Sequence, residues 1–132
     1  MFAGKKSAQI REILISESAW EEMTCLFAPS LETIIMELLV NAGAARSQAL
    51  TALQLARKGD FSAAEQAMTE SREYVKQAHK IQTQLIGIDE GTGKLPVNLI
   101  TVHSQDHLMN AMVIQDLAGD MIELYRRLPP VN

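Results

Sequence analysis

Four polar residues cluster near the start of the last long helical pattern in this sequence of 132 residues: His103, Asp106, His107 and Asn110. His103, His107 and Asn110 follow the four- and three-residue steps of one helix face, and Asp106 lies on the neighbouring row. Both rows continue in apolar residues: Leu99, Val102, Met109, Val113, Ile114, Leu117, Met121, Leu124 and Leu128. We therefore predict that the two rows form a buried helix face, whose polar end must be paired, ligated or used chemically.

The spacing of these residues leaves three interpretations open. His103 and His107 lie one helical turn apart, so they and Asp106 could simply satisfy one another in the core. Two histidines and a carboxylate could also bind a metal ion. In the third interpretation His103 is a nucleophile, because neutral imidazole attacks phosphorus and phosphohistidine passes its phosphoryl group onward. His103 would then lie in the second turn after an Asn98 cap, where the helix dipole favours added negative charge.

The composition favours a helical protein and argues against several classes of function. The chain is 47% hydrophobic and only 5% aromatic, and its abundant Ala, Leu, Ile and Met favour helices over sheets. A formal net charge of -4 argues against nucleic-acid binding. Cys25 is the only cysteine, so no internal disulfide forms, which fits a reducing cytosolic compartment. We expect a cytoplasmic protein without membrane insertion, because no apolar run reaches about 18 residues and the first residues lack a signal-peptide pattern.

The turn and capping residues divide the chain into three long helices, at about 31–58, 61–88 and 99–128. Pro29 and Ser30 precede the first helix, and a Gly59-Asp60 turn joins it to the second, a connection short enough for an antiparallel hairpin. Asn98 can cap the third helix, and Pro129 ends it. We predict an all-α fold, an antiparallel three-helix bundle over residues 30–132, preceded by an N-terminal extension of unknown role at 1–29.

The third helix has more apolar residues than one buried face requires. Each helix rises about 1.5 Å per residue, so helices of this length are long compared with their width. Three of them form a narrow bundle with a large surface for its volume. A bundle with surplus apolar surface usually associates with copies of itself. We therefore predict an oligomer with the third helix at its axis.

Several segments, taken together, resemble the lactose/cellobiose class of enzyme IIA of the bacterial sugar phosphotransferase system. They are Asn41-Ala42-Gly43-Ala44-Ala45-Arg46-Ser47, Gly59-Asp60-Phe61, Ala78-His79-Lys80-Ile81-Gln82-Thr83 and Val102-His103-Ser104-Gln105-Asp106-His107-Leu108-Met109. The resemblance covers about residues 31–128 and implies a cytoplasmic homotrimer of three-helix subunits. It also implies a carrier that accepts a phosphoryl group from the histidine phosphocarrier protein. The carrier donates that group to a cysteine of enzyme IIB, which phosphorylates a disaccharide entering through enzyme IIC.

The resemblance assigns roles within the last motif. His103 is expected to be phosphorylated on Nε2, with Gln105 and His107 near the phosphorylated ring. Asp106 is expected to meet its two symmetry mates on the trimer axis and bind a divalent metal. Mg²⁺ suits that role, because three converging carboxylates repel unless a cation bridges them. Ser104 stands where the family usually has alanine, which we expect to add a hydroxyl near the site.

Other classes of function compete with the phosphocarrier. A regulatory or scaffolding trimer would need the bundle but not His103. A metal enzyme using His103, His107 and Asp106 would need a general base and a substrate pocket, and neither is evident. A histidine phosphotransfer domain is also helical, but it normally has four helices and lacks the Gln-Asp-His run. The sequence does not distinguish lactose, cellobiose and chitobiose as the sugar.

Overall fold

A computed structural model describes residues 30–130, and within them the chain forms three α-helices and no strand. They are α1, Leu31–Arg57; α2, Phe61–Asp89; and α3, Leu99–Arg127. The predicted all-α fold is confirmed: each helix starts at the predicted residue and ends within one residue of the predicted end. Among the described residues, no helix is both long and apolar enough to cross a membrane. The predictions for residues 1–29, Cys25 included, lie outside the described residues.

The helix boundaries follow from local capping chemistry. Asp60 accepts a hydrogen bond from the backbone N–H three residues later, at 3.2 Å, and so caps α2. Asn98 and Thr101 form a reciprocal capping box at the start of α3, with side-chain to backbone distances of 3.0 and 2.8 Å. Gly59 has a φ of +88°, a conformation that ends α1 and lets the chain reverse into α2. These local features fix the residues at which α2 and α3 begin and at which α1 ends.

The core is built largely from small residues on α1. Five alanines of this helix are buried, namely Ala42, Ala45, Ala49, Ala52 and Ala56. At mid-bundle, the buried Ser71 hydroxyl of α2 donates to the Ala45 carbonyl at 2.7 Å and accepts from Gln115 Nε2 of α3 at 2.8 Å. This chain of two hydrogen bonds links all three helices, and it leaves the buried hydroxyl satisfied.

Side-chain pairs show that α2 and α3 run antiparallel. The pairs are Glu65 with Arg126, Ser71 with Gln115, and Gln82 with Gln105. The residue number rises along α2 while it falls along α3, as the predicted bundle requires. The end of α2 therefore lies beside the start of α3, where the candidate residues are.

The connection between α2 and α3 is organised by one carboxylate. Asp89 accepts hydrogen bonds from the backbone N–H groups of Leu95 at 2.9 Å and Gly93 at 3.4 Å. Glu90 takes a left-handed conformation, with φ at 56°, as the last turn of α2 ends. The loop thus returns the chain to Asn98, from which α3 starts beside α2.

The prediction that the two rows of α3 are buried is wrong for a single chain, because the helix buries a different face. The residues of α3 that are buried are Thr101, Ser104, Leu108, Ala111, Ala118 and Ile122. The two predicted rows are exposed or half-buried instead: Leu117 is 52% exposed and Leu124 is 62% exposed. The reason is that α3 packs against the alanine-lined α1 and against α2 with mostly small side chains, which leaves its larger apolar residues outside.

Candidate functional site

His103 lies in the second turn of α3 and is exposed. Its ring meets the half-buried His107 edge to face, with the ring centroids 4.5 Å apart and an interplanar angle of 74°. Because His103 faces outward, the interpretation that these polar residues satisfy one another in the core of the subunit is wrong. An exposed imidazole held by a neighbouring ring can instead be reached by a second protein.

Asp106 and His107 border a cavity of about 310 Å³ between α1 and α3, and Asp106 is exposed. Asn110 and Ile114 of α3 line the same cavity, and Arg46 of α1 lines its opposite side. Within the described part of the chain, Arg46 makes no ion pair within 4.0 Å. The cavity therefore combines one cation, one carboxylate and an imidazole beside His103.

Gln105 is turned away from the histidine pair. Two residues along an α-helix correspond to a rotation of about 200°, so His103 and Gln105 lie on different sides of α3. Gln105 Oε1 accepts a hydrogen bond from Gln82 Nε2 of α2 at 2.6 Å, and the same nitrogen lies 3.9 Å from the sulfur of Met109. One chain thus brings together His103 and His107, and it places Gln105 at the seam with α2.

Ser104 faces the core of the bundle, although it directly follows His103. Its side chain is fully buried, and its hydroxyl donates to the Thr101 carbonyl at 2.9 Å. The hydroxyl expected near the site therefore directly follows His103 in the sequence but faces the interior of the bundle. An alanine at this position would fill nearly the same space, since the hydroxyl bonds only within its own helix turn.

A metal centre does not form within one described chain. No group of three or more His, Cys, Asp or Glu residues comes together among residues 30–130. The two-histidine-one-carboxylate site considered from the sequence is thus absent from this part of a single subunit. Asp106 offers one exposed carboxylate per chain, so a site of several carboxylates would require several copies of the protein.

An apolar cavity of about 380 Å³ lies on the other side of Asp106. It is lined mainly by the loop before α3 and by α3 itself, through Leu95, Pro96, Val97, Val102 and Met109. Neither this cavity nor Arg46 was identified as part of the site from the sequence. Arg46 could have been found there, because it belongs to the segment 41–47 and directly follows the buried Ala45.

The chain is similar to known proteins of one family. The family described as "PTS system, Lactose/Cellobiose specific IIA subunit" matches residues 33–126. The N,N'-diacetylchitobiose-specific EIIA component of Escherichia coli strain K12 is 46% identical over 101 residues, covering 76% of this chain and 87% of that protein. The lichenan-specific phosphotransferase enzyme IIA component of Bacillus subtilis is 39% identical over 98 residues, covering 74% of this chain and 89% of that one.

Solved structures agree with these sequence matches. The cellobiose-specific enzyme IIA from Bacillus anthracis has a TM-score of 0.71 and 37% identity, covering 77% of this chain and 94% of that one. The chitobiose IIA of Escherichia coli, solved in complex with HPr, has a TM-score of 0.67 and 45% identity, covering 76% and 97% of the two chains. The chain therefore belongs to the lactose/cellobiose-specific IIA family, the phosphocarrier components of the phosphotransferase system.

Proposed function

We propose that His103 is the phosphoryl-accepting residue of this carrier. The observation that supports this assignment is an exposed imidazole in the second turn of α3, held edge to face against His107. An exposed ring is accessible to a second protein, and the nearby helix N-terminus favours added negative charge. His103 receives the group on Nε2 from the histidine phosphocarrier protein HPr, the partner named in the structure of the chitobiose relative. It then donates the group to a cysteine of enzyme IIB.

The transfer exchanges one N–P bond for another. The lone pair on Nε2 of the neutral His103 ring attacks the phosphorus of the phosphorylated donor histidine, which is in its imidazolium form. The new N–P bond forms while the donor N–P bond breaks, and the released electron pair returns to the donor ring, which leaves as neutral imidazole. The His103 ring becomes the phosphoimidazolium, so no net proton is gained or lost. The protein contributes mainly position and electrostatic support to such a reaction.

The proposed carrier is a homotrimer packed around α3. Its support is the apolar surface that one chain leaves exposed along this helix, namely Leu99, Val102, Met109, Val113, Leu117, Met121 and Leu124. A contiguous apolar surface of this kind on a narrow bundle is typical of a self-association interface. The bundle's own core lies on the opposite side of α3, so the two packing surfaces do not compete.

Asp106 fits a divalent metal only as part of that trimer. It lies on the exposed face of α3 among the apolar residues, so three copies would converge where the helices meet. Carboxylate oxygens are the ligands that Mg²⁺ prefers, and a bound cation would offset the repulsion between the three carboxylates. The ion's role would be structural, and no step of the phosphoryl transfer passes through it.

We further propose that the carrier serves the uptake of a disaccharide of the lactose, cellobiose or chitobiose class. The support is the naming of the relatives, most of which are specific for chitobiose, lichenan, cellobiose or lactose, while one is specific for galactose. The carrier would act in the cytoplasm, with HPr as donor, enzyme IIB as acceptor, and the membrane component enzyme IIC contacted only indirectly.

One reconstitution tests this proposal. The protein is incubated with phosphoenolpyruvate and the general phosphotransferase proteins, and its intact mass is measured before and after mild acid. We expect one acid-labile phosphoryl group per chain, transferred onward when the matching enzyme IIB is added. A chain that is never phosphorylated would support the alternative, a regulatory or scaffolding trimer.

A further inference from the structure

We infer that Arg46 is a phosphoryl-binding residue of the site, an inference that rests on the proposed role of His103. Arg46 projects from α1 into the cavity of about 310 Å³ that Asp106, His107 and Asn110 line from α3. It is the one arginine or lysine among the described residues that line this cavity. His107, on the same cavity, is in ring contact with His103. The guanidinium is therefore supplied by another helix to a cavity that adjoins the His103 ring through His107.

The guanidinium is available for such a ligand. Arg46 is exposed, and within residues 30–130 it has no carboxylate within 4.0 Å, even though Asp106 borders the same cavity. Arginine remains charged, and its planar fork matches two oxygens of a phosphoryl group. Among residues 30–130, no carboxylate therefore competes with a phosphoryl group for the donors of Arg46.

The charge balance gives Arg46 a specific task. A phosphoryl group on His103 brings negative charge next to a cavity that Asp106 also borders, and like charges close together repel each other. Arg46 is the cation among the described residues lining this cavity, so it can bind the added charge, whereas the proposed ion on the trimer axis would offset the Asp106 carboxylates themselves. Arg46 forms and breaks no covalent bond; it donates hydrogen bonds to phosphoryl oxygens while the N–P bonds exchange. Its contribution should appear both in the rate of acceptance and in the lifetime of phosphorylated His103.

The experiment compares Arg46→Gln and Arg46→Lys with Arg72→Gln, which removes an exposed cation from α2 outside this cavity. Two rates are measured: phosphoryl acceptance from phosphorylated HPr, and loss of the group from the isolated phosphorylated carrier. We expect Arg46→Gln to slow acceptance by about 10- to 100-fold, the effect of losing a hydrogen bond to a charged group. Arg46→Lys should give an intermediate rate, because it keeps the charge but not the fork. Arg72→Gln should match the wild type.

The outcomes separate this inference from the proposed function. Failure of the wild-type protein to be phosphorylated would refute the role of His103 itself. Wild-type phosphorylation with unchanged rates in Arg46→Gln would overturn only the assignment of Arg46. Should Arg46→Gln also lower the mass in solution or the midpoint of thermal unfolding, Arg46→Lys decides. An intermediate rate in that variant supports phosphoryl binding, and a rate as slow as that of Arg46→Gln, at wild-type mass and stability, overturns it.

Discussion

The rings of His103 and His107 meet edge to face on α3, 4.5 Å between centroids and with their planes at 74°. Aromatic pairs in this arrangement contribute about 0.5–1.5 kcal/mol beyond the area they bury. Because His107 is half-buried and His103 is exposed, the inner ring is the better fixed of the two. His107 thus restricts the orientations in which the outer ring presents its nitrogen atoms to a partner.

Replacing His103 by alanine should abolish phosphoryl acceptance and leave the bundle folded. The side chain is exposed and lies outside the core, so its loss should lower the free energy of unfolding by at most about 0.5–1.5 kcal/mol, the contribution of its ring contact with His107. Intact mass after incubation with phosphorylated HPr and circular dichroism are the measurements. His79→Ala, an exposed histidine of α2, is the control and should accept one phosphoryl group. Acceptance by His103→Ala at the wild-type rate would exclude His103 as the acceptor.

Replacing His107 should weaken the acceptor without removing it. Loss of the ring contact in His107→Ala should slow acceptance by a factor of about 2 to 10, the equivalent of 0.5–1.5 kcal/mol. His107→Phe preserves an edge-to-face partner and should lose less. The rates of all three proteins are compared with the same phosphorylated donor. Complete inactivity of His107→Ala in a folded trimer would instead give His107 a direct part in the chemistry.

Charged substitutions on the exposed face of α3 should disrupt the oligomer. Lysine at Leu117 or Leu124 would place a charge in the proposed trimer interface, at a cost of about 3–5 kcal/mol when it has no partner there. Sedimentation of each variant should show subunits of lower mass. Gln77→Lys, on the exposed side of α2, is the matched control and should remain a trimer. If both leucine variants sediment as the wild type does, the interface lies on another face.

Asp106→Leu should separate the metal from the chemistry. The variant replaces a carboxylate by an apolar group of similar size, so it should bind no divalent ion. It need not weaken the trimer, because replacing buried charges by hydrophobic groups is often neutral or stabilising by about 1–4 kcal/mol. Metal content, mass in solution and phosphorylation are measured on one preparation. Chelation should weaken the wild-type trimer but not the variant.

Two results would contradict this account of Asp106. A trimeric Asp106→Leu that cannot be phosphorylated would place the carboxylate in the transfer reaction. A variant that retains a stoichiometric divalent ion would place the ligands elsewhere, with His103 and His107 as the first candidates.

The sequence predicted the helix boundaries well because they depend on local chemistry. Asp60, Asn98 and Gly59 act within one turn of their own position, so their residue types suffice. The buried face of α3 could not be predicted in the same way, because this helix has apolar residues on two sides. Its inner side is marked by small residues such as Ser104 and Ala111, which a search for large apolar residues passes over.

The sequence predicted the contacts of the candidate site that lie within α3, but not the contacts that depend on its neighbouring helices. The ring contact of His103 with His107 follows from a spacing of four residues in one helix. The contact of Gln105 with Gln82 and the approach of Arg46 to the cavity depend on how α3 is rotated against its neighbours. A motif specifies which residues are consecutive, and it does not specify which helix each of them faces.

The placement of Ser104 and Leu108 inside the bundle, and of His103 and Asp106 outside it, has a consequence for protein engineering. Neighbouring residues of this motif face opposite sides of α3. The outward positions can therefore be redesigned together, while the inward residues remain unchanged and keep the bundle packed. A library that varies only the outward residues would explore donor and acceptor preference in proteins that still fold. Grafting the whole eight-residue motif onto another helix would transfer the inward side chains as well, and these would need a neighbouring helix that can cover them.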